Sequence, residues 1–176
     1  MSESLYFIAI VPPPNVLEQI TNLKHEVAER FNSKMALKSP GHITMHMPFR
    51  WKDKRKEELL EMMSKLNDGL RPFEVELNGF GFFEPRVVYV SVEENESLRQ
   101  FQKSVVQHCR SELKILNSNY KDKVFRPHVT VAFRDLKKPK FYEAREYFEG
   151  REFQAEFMVD KANLLKHDRK MWQVHS

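Results

Sequence analysis

A chain of 176 residues, 41% hydrophobic and with only five Gly and nine Pro, fits one folded domain (1–176) with a sizeable core and excludes a low-complexity or disordered protein. Its net charge of +4 and pI near 9.1 favour an anionic partner such as a phosphate ester. The one cysteine, Cys109, excludes an internal disulfide and a cysteine-rich zinc site, and the apolar run Leu5–Val11, with Glu3 before it, is too short for a membrane span and lacks the basic flank of a signal peptide, so a protein of the reducing cytoplasm is expected.

Leu5 to Val11 reads as a largely buried strand, with bulky Tyr6, Phe7, Ile8 and Ile10. Pro12, Pro13 and Pro14 end it, and Asn15 is the expected cap of a helix whose apolar stripe is Val16, Ile20, Leu23 and Val27. Pro40 and Gly41 break the chain before a strand that opens with His42-Ile43-Thr44. After Arg50 the period is helical again: Leu59, Met63, Leu66 and Leu70 share a face, with Asp53 as the expected cap and Pro72 as the stop. Phe73 to Leu77 alternates like a half-buried strand, and Gly79 and Gly81 predict a bend or bulge.

From Val87 the order repeats. Val87 to Val92 is a strand, and Asn95 caps a helix carrying Leu98, Phe101, Val105 and Cys109, where the thiol reads as buried and structural. A polar loop, Asn117 to Lys123, leads to Phe125-Arg126-Pro127 and then His128-Val129-Thr130. A short helix presents Phe141, Ala144 and Phe148 and ends at Gly150; Phe153 to Val159 alternates, and two short strands near 162–166 and 171–174 close the chain. Each half, approximately 5–84 and 87–167, therefore reads strand, helix, His-x-Thr strand, helix, strand. This predicts an α+β, bilobal fold of two pseudo-symmetric β-α-β-α-β units. Each is a small, mostly antiparallel sheet with helices on one face, and the two His-x-Thr strands face each other across a cleft.

Only three Thr occur, and two of them stand two places after a His. On a strand, residues i and i+2 share a face, so each segment presents an imidazole beside a hydroxyl. Imidazole, with an ordinary pKa of about 6.5, serves as base or acid near neutrality. Two of them on opposite sides of a phosphorus could activate a nucleophile and protonate the leaving oxygen, while the hydroxyls hold the non-bridging oxygens. His42, Thr44, His128 and Thr130 are therefore the candidate catalytic set; which His is acid and which is base stays open. Arg50, Arg126 and Arg134 are candidates to neutralise phosphate, and Tyr89, Phe133, Phe49 and Trp172 to stack on a base. No metal or other cofactor is expected. His42 and His46 would stand about 13 Å apart on a strand, too far to share a zinc ion with Zn–N bonds near 2.1 Å, so His46 reads as a rim residue or a structural donor. No Gly-rich phosphate loop supports ATP-driven chemistry.

Two His-x-Thr motifs on apolar strands resemble the signature of the two-histidine phosphoesterases, which include the 2′-5′ RNA ligase-like proteins and the RNA cyclic phosphodiesterases. The run from Leu5 to Pro13 is similar to that family's opening strand, and Arg126 to Phe133 is similar to its second motif. Gly79-Phe80-Gly81-Phe82 followed by Val87 to Val90 is similar to its middle, while His46 departs from the first motif. The resemblance implies a metal-independent phosphodiesterase that hydrolyses a 2′,3′-cyclic phosphate to a 2′-phosphate, or 2′-5′ linkages, in RNA or small nucleotides, with 2′-5′ ligation as the reverse. It implies RNA ends or small nucleotides as partners, no membrane, no obligate protein partner and a monomer. Two alternatives stay open: a non-catalytic RNA- or nucleotide-binding module, and a hydrolase of another cyclic phosphate such as an ADP-ribose derivative. Pure binding would not require two titratable groups, which favours catalysis over the module.

Overall fold

The computed structural model describes residues 2–116 and 124–176; the polar loop expected at 117–123 lies outside them. The elements follow in the order β1 (Glu3–Ile10), α1 (Pro14–Phe31), β2 (Ile43–Lys52), α2 (Lys56–Asp68), β3 (Phe73–Phe83), β4 (Val87–Val92), α3 (Glu96–Leu113), β5 (His128–Ala132), α4 (Lys138–Phe148), β6 (Gln154–Val159), β7 (Asn163–His167) and β8 (Trp172–Val174). Short 3-10 turns at Met35–Lys38 and Asp53–Arg55 precede β2 and α2.

The strands form two four-stranded sheets, β2-β1-β7-β8 and β5-β4-β3-β6, with every pairing antiparallel. The two orders correspond term by term, β2 with β5 and β1 with β4. The helices obey the same relation. α1 packs on β5 and α4, and α3 packs on β2 and α2, so each His-bearing strand is covered by the other half's first helix. The boundary between lobes does not fall after residue 84. β3 belongs in sequence to the first half but lies in the second sheet, because only residues 84–86 separate it from β4 and so short a connection makes a hairpin. β7 takes the corresponding place beside β1.

Alternation decides which face each strand buries. In β1, Tyr6, Ile8 and Ile10 join the continuous core under the helices, whereas Phe7 and Ala9 point the other way into a small cluster with Leu165, Val11 and Trp172. The stripes expected on α1 and α3 are buried. Asn95 caps α3 as expected, its side chain accepting the Leu98 N–H at 3.0 Å. The other two caps differ. α1 begins at Pro14 after Pro13, whose locked φ of -64° already suits a helix entry, and Asn15 falls inside the first turn. Asp53 instead accepts the Ser4 hydroxyl at 2.6 Å, because β2 runs on to Lys52 and brings it beside the start of β1. β3 bends as its glycines suggest, with a register slip between Leu77 and Phe80 and Gly79 at φ 71°.

Candidate active site

β2 and β5 are both end strands of their sheets, and they approach each other where the lobes meet. In each, the apolar residues point into the core: Ile43 and Met45 on β2, Val129 and Val131 on β5. That alternation leaves His42, Thr44, His128 and Thr130 half-buried on the opposite face. The two imidazoles are near enough for charge on one to oppose charge on the other.

Both rings are held in the same way. His42 Nδ1 lies 2.8 Å from the Pro40 carbonyl, and His128 Nδ1 lies 2.7 Å from the Arg126 carbonyl. A carbonyl can only accept, so Nδ1 carries the proton in each ring and Nε2 is the free nitrogen. Behind His42 stands Phe7, with ring centroids 4.9 Å apart, and Phe7 meets Trp172 edge-on at 4.6 Å. Behind His128 stand Phe83 at 5.0 Å and Tyr89 at 5.3 Å. Gly81 lies opposite Tyr89 in the β3–β4 register, and a Cβ there would run into the Tyr89 ring.

Burial disfavours the charged imidazole. It pushes His42 down to about 4, against the raising effect of the Pro40 bond, and positive charge on Lys24 and His128 adds to the depression. His128 is lowered mainly by burial too, its bond to Arg126 pulling the other way. Without substrate both rings are therefore mostly neutral at pH 7. An anionic phosphate between them would favour the protonated form and raise both.

Other residues singled out in the sequence divide between site and scaffold. Tyr89 forms a wall of the His128 side, and Trp172 lies on the His42 side. Arg126 contributes its carbonyl, its side chain being exposed. Arg134 follows β5 at φ 56°, its guanidinium 5.4 Å from the half-buried Phe133 ring. Arg50 does not join them: it pairs with Leu5 near the far end of β2 from His42 and is exposed. Phe49 is in the core against Tyr6 and His46, where no base could reach it. A regular strand would put His46 on the His42 face. The β1–β2 register instead slips between Ala9–Thr44 and Ile8–His46, and the bulge turns His46 into the core, 2% exposed, with Nδ1–H on the Met47 carbonyl. It is a structural residue, not a rim residue. Among the described residues, Glu74, Glu76 and Glu156 could share a cation, but they are exposed on β3 and β6, the strands of the second sheet farther from β5.

Several neighbours of the site escape sequence reasoning. Phe7 reads only as a strand residue, and Phe83, past the Gly79–Gly81 bend, has no reading in the sequence. Asp135, just past β5, accepts the Ser33 hydroxyl at 2.7 Å and the Lys34 and Met35 N–H groups at 2.8 and 3.2 Å. It thus ties the exit of one His strand to the segment leading into the other. Lys24 leaves one trace in the sequence: it is a charge on the apolar stripe of α1, four residues after Ile20.

A two-lobed α+β fold with one His-x-Thr segment at the end strand of each sheet, where the lobes meet, defines a class, the two-histidine phosphoesterases. Within it, the chain belongs to the 2′-5′ RNA ligase superfamily, whose family model matches residues 12–171. Membership implies an enzyme of phosphoesterase or ligase type. Among solved structures the chain is similar to TT0787 of Thermus thermophilus, at 18% identity and a TM-score of 0.69, covering 98% of this chain and 95% of that one. It is also similar to E. coli LigT complexed with 3′-AMP, at 18% identity and a TM-score of 0.68, covering 99% and 97%. The LigT complex with ATP gives 18% identity and a TM-score of 0.64, covering 98% and 93%. At such identities the likeness is one of fold. No curated protein matches the sequence. No helix among the described residues is long and apolar enough to cross a membrane.

Proposed function

We propose that this chain is a phosphodiesterase that opens 2′,3′-cyclic phosphates to 2′-phosphates, or cleaves 2′-5′ linkages, in RNA or small nucleotides. His42 and His128 supply the acid and the base, and Thr44 and Thr130 bind the phosphate. The observation that carries this reading is the matched Nδ1–carbonyl bonding, which leaves two Nε2 nitrogens free on neighbouring strands. In cyclic-phosphate hydrolysis the neutral ring takes a proton from water as the water oxygen attacks phosphorus. The protonated ring gives its proton to O3′ as the P–O3′ bond breaks, leaving a 2′-phosphate and a free 3′-hydroxyl. Each Thr hydroxyl, beside its His, donates to a non-bridging oxygen where charge accumulates. No step calls for a metal ion. With a 5′-hydroxyl in place of water as the nucleophile, the same groups would open the cyclic phosphate to a 2′-5′ linkage, P–O3′ again breaking and O3′ taking the proton.

The net charge of +4 suits an anionic ligand. The half-buried rings of Trp172, Tyr89 and Phe83 offer faces to a base. E. coli LigT, of the same fold, has been crystallised with 3′-AMP, NADP+, ATP and phosphate.

The test is incubation in EDTA with 2′,3′-cyclic nucleotides, 2′-5′ oligonucleotides and ADP-ribose 1″,2″-cyclic phosphate, with products identified by mass and by phosphate position. A 2′-phosphate from the cyclic nucleotides is the expected result. Turnover of the ADP-ribose derivative alone would move the substrate class. Binding of RNA with no turnover of any substrate would overturn the reading in favour of a binding module.

A further inference from the structure

The peptides that hold the two imidazoles are themselves held. Three residues before His42, the Ser39 carbonyl accepts a hydrogen bond from Lys24 Nζ of α1 at 2.8 Å. Three residues before His128, the Phe125 carbonyl accepts one from Arg99 Nη1 of α3 at 3.1 Å. α1 and α3 correspond under the pseudo-two-fold, so the same device occurs in both halves. A cation on the preceding helix grips the carbonyl at position −3, and the carbonyl at −2 takes the Nδ1–H. The residues differ while the geometry matches: Lys in one half and Arg in the other, Ser-Pro-Gly-His against Phe-Arg-Pro-His.

Building on the acid–base reading above, we infer that Lys24 and Arg99 are positioning residues, each fixing the peptide that orients one imidazole, and that Lys24 also sets an uncompensated positive charge beside His42. Lys24 is 2% exposed and sits on the apolar stripe of α1, where a Met or Leu would pack without the cost of burying a charge. Burial lowers its ammonium to about 8, so it is mostly charged at pH 7, and no carboxylate pairs with it among the described residues. Arg99 is only partly buried and is paired with Glu94, Nη2 to Oε2 at 2.9 Å, so its charge is locally cancelled. Among the described residues, the groups facing His42 are Lys24 from α1, His128 from β5, Phe7 from β1 and, behind Phe7, Trp172 from β8, so its titratable neighbours there are Lys24 and His128. His128 is faced by Phe83 of β3, Tyr89 of β4 and His42. The device is thus symmetric in geometry and asymmetric in charge.

Histidine NMR on the wild type, K24M, K24R and R99Q tests this without substrate, alongside turnover of 2′,3′-cyclic AMP. In the wild type both rings are expected as the Nδ1–H tautomer. K24M should mix the tautomers of His42 and move its titration upward while His128 stays unchanged. R99Q should disturb the tautomer of His128 and leave His42 as it was. In both variants kcat should fall about ten- to hundredfold with KM held within about twofold, the signature of a misplaced group. K24R should keep the tautomer and most of the rate. Should K24M fail to fold by circular dichroism, R99Q at a partly exposed site carries the same test. Rings unchanged in tautomer and titration in the folded variants would overturn the inference whatever the turnover. Rings that respond as expected in a protein that turns over no phosphodiester would keep the positioning roles and sink the phosphodiesterase reading instead.

Discussion

The His42 and His128 halves of the site share a skeleton and differ in their surroundings. In each, an Nδ1–H is fixed on the carbonyl two residues back, and a helix-borne cation holds the carbonyl before that. Yet the His42 side is backed by buried Phe7 and faced by the buried ammonium of Lys24, while the His128 side is backed by Phe83 and Tyr89 and held by an Arg already paired with a carboxylate. In the proposed reaction, equal geometry would serve two groups that reach one phosphorus from opposite sides, and unequal electrostatics would serve two groups in opposite protonation states at the same moment.

Removing either imidazole should cost the most activity. His42→Ala and His128→Ala should each lower kcat on 2′,3′-cyclic AMP by about 10² to 10⁴-fold, the range for a general acid or base. The double variant should be little worse than the poorer single one, because the pair acts as a unit. A large loss in one variant with near-normal turnover in the other would break the symmetry between halves.

Gly81→Ala strikes one half only. Its new Cβ meets the Tyr89 ring that backs His128. A loss of about 1–3 kcal/mol in denaturant unfolding is expected from overpacking, with the His128 resonances displaced and those of His42 unmoved. Asp135→Ala strikes the other half from across the cleft, since it frees the segment that leads to His42. Its stability cost should be that of a lost cap, about 1 kcal/mol, with the NMR response confined to His42.

An effect that spans both halves is a pH dependence of stability. His42, His46 and His128 all have folded-state pKa values below the ordinary imidazole value, mainly through burial. The unfolded chain therefore binds more protons below about pH 6.5, and stability falls as pH falls through that value. For His42 the loss extends down to about pH 4. Urea midpoints from pH 7 to 4 should decline steadily, and less steeply in His46→Gln, which removes one of the contributing titrations.

Much of this arrangement is legible in the sequence because it is written in local periods. The two-residue period of a strand places each Thr beside its His, and the helical stripes of α1 and α3 are readable from Val16 to Val27 and Leu98 to Cys109. What escapes is set by pairing between distant segments. The bulge that turns His46 inward exists only in register with β1, and the place of β3 in the second sheet depends on its hairpin with β4. Arg50 lies on that bulged strand beyond His46, so counting positions from His42 could not tell that it pairs with Leu5, far from the site. Lys24, Arg99 and Asp135 bond to distant segments, contacts that no local period encodes; of the three only Lys24 leaves a trace, as a charge on the apolar stripe of α1.

In the proposed reaction one imidazole gives a proton while the other takes one. The most direct measurement is the pH profile of kcat/KM for 2′,3′-cyclic AMP in EDTA, in the wild type and in the two single-His variants. A bell is expected, with its acid limb below the ordinary imidazole value because burial holds both rings down. The residual activity of each variant should lose one limb, and the two variants should lose different limbs. A wild-type profile flat from pH 4 to 8, or the same limb lost in both variants, would contradict an acid–base pair.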